Sequence, residues 1–257
     1  MRLNRIICLL GLILLAVLFS FGYTADRPAK GTVSEKWFLL NIKGQPSGYL
    51  HVARKASPDN SAEVYFQDEI LTKLEDKQVL VKMQTVCDDN IYFFPIRLSA
   101  DINQRGQASA TLIATVEKEA PYGCSSGKMQ AIYRKLDAQY NLNRDIPEHT
   151  VCEDALLETI PRLPFAEGTV FKFNLFLLTK LQVKKKHEIK YLGLDKIEIN
   201  NTIMTLHKFE QKGSGIKSIR YWLDDQHQLL RILKDDKEEL LLSTQAKVKG
   251  SGLISHW

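Results

Sequence analysis

A short segment of the sequence matches the motif that holds the nucleophile of serine hydrolases. Residues 123–127 read Gly-Cys-Ser-Ser-Gly, and in α/β-hydrolases a Gly-x-Ser-x-Gly segment joins a parallel strand to a helix. Here the residues from Lys128 to Tyr133 alternate like a further strand, so the surroundings favour a loop rich in glycine and serine. An aspartate and then His149 do follow in the order of a hydrolase triad. Catalysis by Ser125 is our third hypothesis, and we expect the protein not to be an enzyme.

Histidine, cysteine and acidic residues do not form a recognisable metal motif. His149 and Cys152 have the spacing of two zinc ligands, but no second pair stands at zinc-type spacing. The acidic pairs, such as Asp88-Asp89 and Asp224-Asp225, fall in predicted turns, where aspartate is favoured for backbone reasons. The sequence also lacks a phosphate-binding glycine loop and a dinucleotide fingerprint. We therefore expect neither a metal nor a cofactor.

The first residues have the pattern of a secretion signal. Arg2 and Arg5 precede an uncharged stretch from Ile6 to Tyr23. Small residues predict cleavage after Gly22, so that the signal is residues 1–22, and cleavage after Ala25 is the alternative. We expect the remainder, residues 23–257, to be exported to the periplasm or the extracellular space. An uncleaved N-terminal membrane anchor is the alternative, because the apolar stretch is just long enough to span a bilayer.

Three cysteines remain after such cleavage, and an oxidising compartment favours one disulfide with one cysteine left over. The turn at Cys87 and the loop at Cys124 are predicted to return to the same end of the sheet, because the strands between them are joined at one turn. Cys152 falls on a predicted helix. We therefore predict a disulfide between Cys87 and Cys124. We interpret Cys152 as a structural residue, either a buried small residue or half of a disulfide, with a reactive thiol as the alternative.

Composition and charge exclude several classes of protein. The chain has 257 residues, of which 44% are hydrophobic and 25% are charged, which is typical of a globular protein and fits one domain. The net charge of +5 includes the two arginines of the signal, so the exported chain is too weakly basic for nucleic-acid binding to be expected. The sequence carries no signal for the oligomeric state. The sharpest basic cluster is Lys184, Lys185 and Lys186, which is either a solvated hairpin end or a contact for an anionic membrane or an acidic partner.

The hydrophobic pattern predicts a mainly β protein. Short alternating runs separated by turns begin at Trp37 and recur to Gln245, and their connections are too short for parallel crossovers. The sequence therefore predicts an antiparallel meander. Thr150 and Glu153 form a capping box, which predicts one short helix over Val151 to Ile160. Residues 250–257 are expected to be a loose tail.

Several segments together resemble an uncharacterised family of secreted bacterial β-proteins, classed as a domain of unknown function. They are Trp37, Gly44, Gly48-Tyr49, Leu163-Pro164-Phe165 with Gly168, Tyr191-Leu192-Gly193, Tyr221-Trp222-Leu223-Asp224-Asp225 and Leu229-Leu230-Arg231. The resemblance covers most of the exported chain. It implies an open half-barrel, similar in architecture to the carriers that move lipoproteins across the periplasm. It implies no catalytic residues.

Our first hypothesis is a non-enzymatic protein that binds a lipid or a lipid-modified partner on an open apolar face, in a role in cell-envelope maintenance. Phe171, Phe173 and Leu175 share one face of a predicted strand, and with Trp222 they are the predicted ligand-binding residues. The cluster Lys184 to Lys186 would contact the charged end of the ligand or a membrane surface. The second hypothesis is an envelope interaction or assembly protein in which the sheet is fully packed.

Overall fold

The computed structural model describes residues 34–57, 60–74, 77–104, 110–119, 126–135 and 138–251. The predicted secretion signal, Cys124, Ser125 and the predicted tail after Ser251 lie outside these ranges. The strands are β1 (Ser34–Ile42), β2 (Gln45–Ala56), β3 (Glu63–Leu74), β4 (Lys77–Asp88), β5 (Pro95–Gln104), β6 (Ala110–Lys118), β7 (Gly127–Lys135), β8 (Ala138–Ile146), β9 (Thr150–Cys152), β10 (Val170–Leu177), β11 (Gln182–Ile199), β12 (Thr202–Gly213), β13 (Ile216–Leu223), β14 (Leu229–Lys234) and β15 (Glu238–Ser243). The helices are α1 (Leu156–Thr159), α2 (Gln245–Gly250) and two 3₁₀ turns, Ile160–Arg162 and Leu178–Lys180. Among the described residues, no helix has the length and apolar character needed to cross a membrane.

All fifteen strands belong to one sheet that curls into a nearly closed barrel. From one edge to the other the order is β8 to β1 and then β15 to β9. Every pair of neighbours is antiparallel except β9 and β10, and β1 pairs with β15 to join the two halves. The predictions of a mainly β fold and of an antiparallel meander are therefore confirmed.

Alternation along the strands places apolar side chains on the inner face. In β6, Leu112, Ala114 and Val116 are buried while the residues between them are more exposed, as the sequence pattern predicts. A continuous core of buried side chains draws on strands of both halves of the sheet. Phe93, Phe94 and the α1 residues Leu156 and Leu157 belong to the same core. The interior of the barrel is therefore occupied by side chains.

The predicted helix over residues 151–160 is wrong in its first half. Thr150, Val151 and Cys152 form strand β9, which pairs in parallel with residues 174–176 of β10, and α1 begins only at Leu156. The Thr150 hydroxyl donates to the carbonyl oxygen of Pro147 at 2.6 Å instead of capping a helix. Strand pairing with β10 satisfies the backbone groups of β9, and this tertiary contact overrides the local helix signal.

Ion pairs between buried and partly buried side chains attach α1 to the first strands. The carboxylate of Glu158, on α1, lies 2.5 Å from the Lys36 ammonium of β1 and 3.5 Å from the Arg54 guanidinium of β2. Arg54 also pairs with Asp89 at 3.0 Å, and Arg162 pairs with the same carboxylate at 3.2 Å. Because paired charges tolerate burial far better than isolated ones, this network holds α1 inside the barrel.

Candidate ligand-binding cleft

Three of the four predicted ligand-binding residues belong to the packed core. Phe171, Phe173 and Leu175 of β10 are 8%, 3% and 4% exposed and contact the other buried apolar side chains. They share one face of the strand, as the sequence indicates. The core packs against most of that face, so no long open apolar surface runs along the described part of β10.

Trp222 lies apart from these three residues. Its neighbours Tyr221 and Leu223 point into the core, and side chains alternate along a strand, so Trp222 points to the outer face of the sheet. There its ring lies between the Lys208 ammonium, at 5.5 Å, and the Arg231 guanidinium, at 5.1 Å. Its indole nitrogen donates to the Asp195 carboxylate at 3.0 Å. The structure therefore does not bring Trp222 and Phe173 into one site.

The three consecutive lysines lie inside strand β11 and not at the end of a hairpin. The turn between β10 and β11 is formed instead by the 3₁₀ turn Leu178–Lys180 and Leu181. The pairing register of β10 and β11 shifts between Phe173 and Leu175, opposite Lys185 and Lys186. Lys186 has a left-handed backbone with a φ of 62°. Such a bulge redirects side chains and loosens pairing, which opens the surface locally.

A cleft of about 460 Å³ lies at this bulge and reaches the turn before β9. One predicted apolar residue, Phe173, and one predicted basic residue, Lys186, both line it. Its lining residues are His149, Lys172, Phe173, Asn174, Lys186, His187 and Glu188. We call it the basic cleft. Its volume is within the range of small-molecule sites in proteins.

His187 is the most unusual residue of the basic cleft. It is only 1% exposed, and its Nε2 atom is buried without a hydrogen-bond partner. The Tyr221 hydroxyl donates to the Gln211 Oε1 atom at 2.5 Å, so the Gln211 Nε2 atom, 3.3 Å from His187 Nδ1, acts as a donor to the ring. Burial lowers the pKa of His187, and the nearby Lys184 ammonium lowers it further. The ring is therefore neutral near pH 7 with its hydrogen on Nε2, where it is a buried donor that lacks an acceptor.

A glycine on the neighbouring strand makes room for this ring. A Cβ atom added at Gly213 of β12 would lie 2.3 Å from His187 Nδ1, which is far inside van der Waals contact. Any other residue at position 213 would displace the imidazole from the cleft wall. The absence of a side chain there is thus part of the geometry of the site.

Positive charge dominates the basic cleft. Lys172 of β10 and Lys186 of β11 are exposed lysines that line it, and the described residues place no carboxylate at ion-pair distance from either ammonium. The acidic member, Glu188, lies 3.6 Å from the Lys190 ammonium, which offsets part of its charge. Two free ammonium groups and a neutral imidazole N–H suit an anionic ligand group, and the Phe173 ring supplies an apolar wall.

The sequence analysis did not predict a second cluster, which is made of aromatic rings. It brings together residues from the segments that carry the family resemblance. The Phe165 ring is stacked between His207, at 3.8 Å, and His227, at 3.9 Å. His207 contacts the Tyr191 hydroxyl at 2.8 Å and the Asp225 carboxylate at 2.9 Å. All of its ring nitrogens are therefore satisfied, and we interpret this cluster as the anchor of the loop that follows α1. The Leu-Pro-Phe, Tyr-Leu-Gly and acidic turn segments that carry the family resemblance were the sequence signal that could have found it.

The remaining predictions concern the serine motif at Ser125, a metal site and the disulfide. The two strands that flank Ser125, β6 and β7, are antiparallel neighbours, whereas the hydrolase motif needs a parallel strand and a helix. Within the described ranges, no three histidine, cysteine or acidic side chains are grouped to hold a metal ion. Cys87 lies against Cys152, with 3.9 Å between their sulfur atoms. The predicted Cys87–Cys124 disulfide stays a prediction, since Cys124 lies outside the described residues.

Comparisons with known proteins add little to this description. No known protein family matches the sequence, and no curated protein matches it either. Among solved structures, the chain is similar to a β-barrel-like protein of the domain of unknown function DUF1849 from Brucella abortus. The two share 7% sequence identity with a TM-score of 0.47, over 84% of this chain and 98% of that one. The fold and the cleft define a class, a nearly closed antiparallel β-barrel with a basic surface cleft.

Proposed function

We propose that this is an exported, non-enzymatic binding protein whose ligand joins an anionic group to an apolar chain, as in a fatty acid, an anionic lipid or a lipid-modified partner. The binding site is the basic cleft. The anionic group accepts a hydrogen bond from His187 Nε2 and lies between the ammonium groups of Lys172 and Lys186. The apolar chain begins against the Phe173 ring.

The observation that carries this proposal is the unpartnered Nε2 atom of His187. A buried donor without an acceptor costs about 1–3 kcal/mol, and native proteins keep few such groups. An anion in the cleft would remove that cost. Each neighbouring lysine would contribute roughly 1 kcal/mol toward an anionic headgroup at moderate salt, and each buried CH₂ of the chain about 0.8 kcal/mol.

A titration with a fluorescent long-chain fatty acid tests the proposal. We expect saturable binding, and weaker binding of the matched fatty alcohol because it lacks the anionic group. Removing both cleft charges, with Lys172→Gln and Lys186→Gln, should weaken fatty-acid binding by about 30-fold, if each lysine contributes roughly 1 kcal/mol. Lys185→Gln with Lys196→Gln is the control, because it removes two exposed charges that do not line the cleft. Equal affinity in the two double variants would contradict the proposal.

A second candidate function is an envelope interaction or assembly protein, and the filled interior of the barrel favours it. The core combines side chains from both halves of the sheet with Phe93, Phe94 and α1, so no large ligand needs to complete it. In that case the cluster Lys184 to Lys186 would contact an anionic membrane or an acidic protein surface, without a bound acyl chain. Binding to vesicles with anionic lipids, together with no binding of monomeric fatty acid, would favour this function.

A further inference from the structure

Two buried cysteines from distant parts of the sheet meet inside the barrel. Cys87 lies near the end of β4, and Cys152 is the last residue of β9. Both side chains are fully buried, and their sulfur atoms are 3.9 Å apart. β4 and β9 are not neighbours in the sheet, since β9 is an edge strand beyond the whole C-terminal half. The contact therefore connects the two halves across the core.

We propose that Cys87 forms a disulfide with Cys152, and not with Cys124 as the sequence predicts, when the protein folds in an oxidising compartment. The sulfur atoms are nearly in van der Waals contact, and a disulfide needs them about 2.0 Å apart. Rotation of the two cysteine side chains about their torsion angles would close most of the remaining distance between the sulfur atoms. This inference goes beyond the proposed function and does not depend on the basic cleft.

The chemistry requires an external oxidant, which we assign to the class of thiol–disulfide oxidoreductases that carry a reactive disulfide. One cysteine thiolate attacks that disulfide, forms a mixed disulfide and releases one thiolate of the oxidoreductase. The second cysteine thiolate then attacks the cysteine sulfur of the mixed disulfide and releases the other thiolate of the oxidoreductase. The two cysteines lose two protons and two electrons in total, and the oxidoreductase disulfide becomes a dithiol.

The surroundings of the two thiols place this exchange before the core closes. Burial raises the pKa of both thiols, and the nearby Asp154 and Asp68 carboxylates raise it further. Because the thiolate is the nucleophile, neither cysteine reacts readily once it is enclosed. We therefore place the oxidation during folding, after β4 has formed and while β9 is still accessible.

The bond would fix the shortest strand of the sheet, which lies at one edge. β9 has only three residues, and within the described part of the chain it pairs only with β10. The residues that follow it carry Asp154 and α1 into the core. A disulfide across a sequence separation of 65 residues removes conformational freedom from the unfolded chain, so we expect reduction to lower the melting temperature by on the order of 10 °C.

Peptide mapping without reduction tests the proposal. The full chain is isolated from a bacterial periplasm after export by its own N-terminal segment or, if that segment does not direct export, by an added periplasmic leader. Free thiols are blocked in denaturant before digestion. We expect a peptide that links Cys87 to Cys152, and we expect it to persist in Cys124→Ser. A Cys87–Cys124 link, or blocked thiols at both Cys87 and Cys152, would overturn the proposal.

Discussion

At the scale of residues, the position of His187 depends on the lack of a side chain at Gly213. We expect Gly213→Ala to destabilise the protein by about 1–3 kcal/mol, because the added methyl group would overlap the imidazole and force it to move. The same change should weaken ligand binding, since the ring of His187, which lines the basic cleft, would move. Urea unfolding and the fatty-acid titration measure the two effects.

Gly250→Ala is the matched control for this substitution. Gly250 is the last residue of α2, and a Cβ atom added there meets no atom within 4 Å. Because alanine also favours helix over glycine, this variant should be as stable as the natural protein or slightly more stable. Equal stability of the two alanine variants would show that the ring of His187 tolerates a methyl group and would contradict our description of the site.

A buried carboxyl should make stability depend on pH. Burial raises the pKa of Asp154 to about 6. Burial also raises the pKa of the neighbouring Asp68, and the Asp154 and Glu158 carboxylates raise it further. The folded state thus prefers protonated Asp154, so its contribution to stability is complete below about pH 3.8 and is lost as the pH rises through about 6. From pH 5 to pH 7 this loss should amount to about 1 kcal/mol.

The variant Asp154→Asn isolates that contribution. The amide oxygen can accept from the Ala155 N–H, as Oδ1 does at 2.9 Å, and the amide nitrogen can donate to the Thr85 hydroxyl, which lies 2.7 Å from Oδ2, but the amide does not ionise. The lowered pKa of His187 has the opposite effect, since it makes the folded state more stable as the pH rises, and this effect is present in both proteins. Urea unfolding at pH 5 and pH 7 should therefore show a smaller loss of stability in Asp154→Asn. An equal loss in the two proteins would rule out Asp154 as its source.

Residues such as His187 and Cys152 show which part of the site the sequence could not predict. The sequence places His187 beside three lysines, where a solvated surface residue is the simpler interpretation. Its burial depends on its pairing opposite Phe173 and on the gap at Gly213, which lies on another strand. The contact between Cys87 and Cys152 likewise depends on how the two halves of the sheet close. Neither feature leaves a local pattern.

At the scale of elements, α1 is too short to be stable alone and depends on its ion pairs. Replacing Glu158 by alanine leaves the partly buried Lys36 ammonium without its partner and removes one of the two partners of Arg54. We expect a loss of about 3 kcal/mol in the free energy of unfolding, because breaking a buried pair exposes an uncompensated charge to the apolar interior. Urea unfolding of Glu158→Ala measures the loss.

Glu238→Ala provides the comparison for this prediction. Glu238 forms an exposed pair with Lys234 at 3.1 Å, and such pairs contribute less than about 1 kcal/mol. A similar small effect for both substitutions would mean that the Glu158 pairs do not hold α1 in place.

The elements also show where local patterns mislead. The capping box at Thr150 and the apolar spacing after it describe a helix, yet the first three residues become β9 because β10 offers backbone partners. The three lysines were assigned to a turn because charged residues are common there. They lie within a strand because the bulge in β11 absorbs the residues that do not pair.

At the scale of the whole molecule, the meander was predictable because alternation with period two and short connections leave few other topologies. Whether the inner apolar face of the sheet is open could not be predicted in the same way. Whether the interior is empty or filled depends on Phe93, Phe94 and α1, which enter from loops whose direction alternation does not specify.

Export is a further prediction at this scale. The basic, apolar and small-residue regions of the first 25 residues occur in the order of a cleaved signal. N-terminal sequencing of the protein isolated from its natural source should begin at Tyr23 or Asp26. An intact Met1 in the membrane fraction would instead support the anchor.

The central claim, that the basic cleft binds an anion through His187, is tested most directly by the NMR signals of the histidine side chains. In the free protein we expect the hydrogen of His187 on Nε2. Saturation with a fatty acid should move the Nε2–H signal of His187 downfield as it gains an acceptor, while the signals of His207, which does not line the cleft, stay in place. Unchanged His187 signals at saturating fatty acid would contradict the claim.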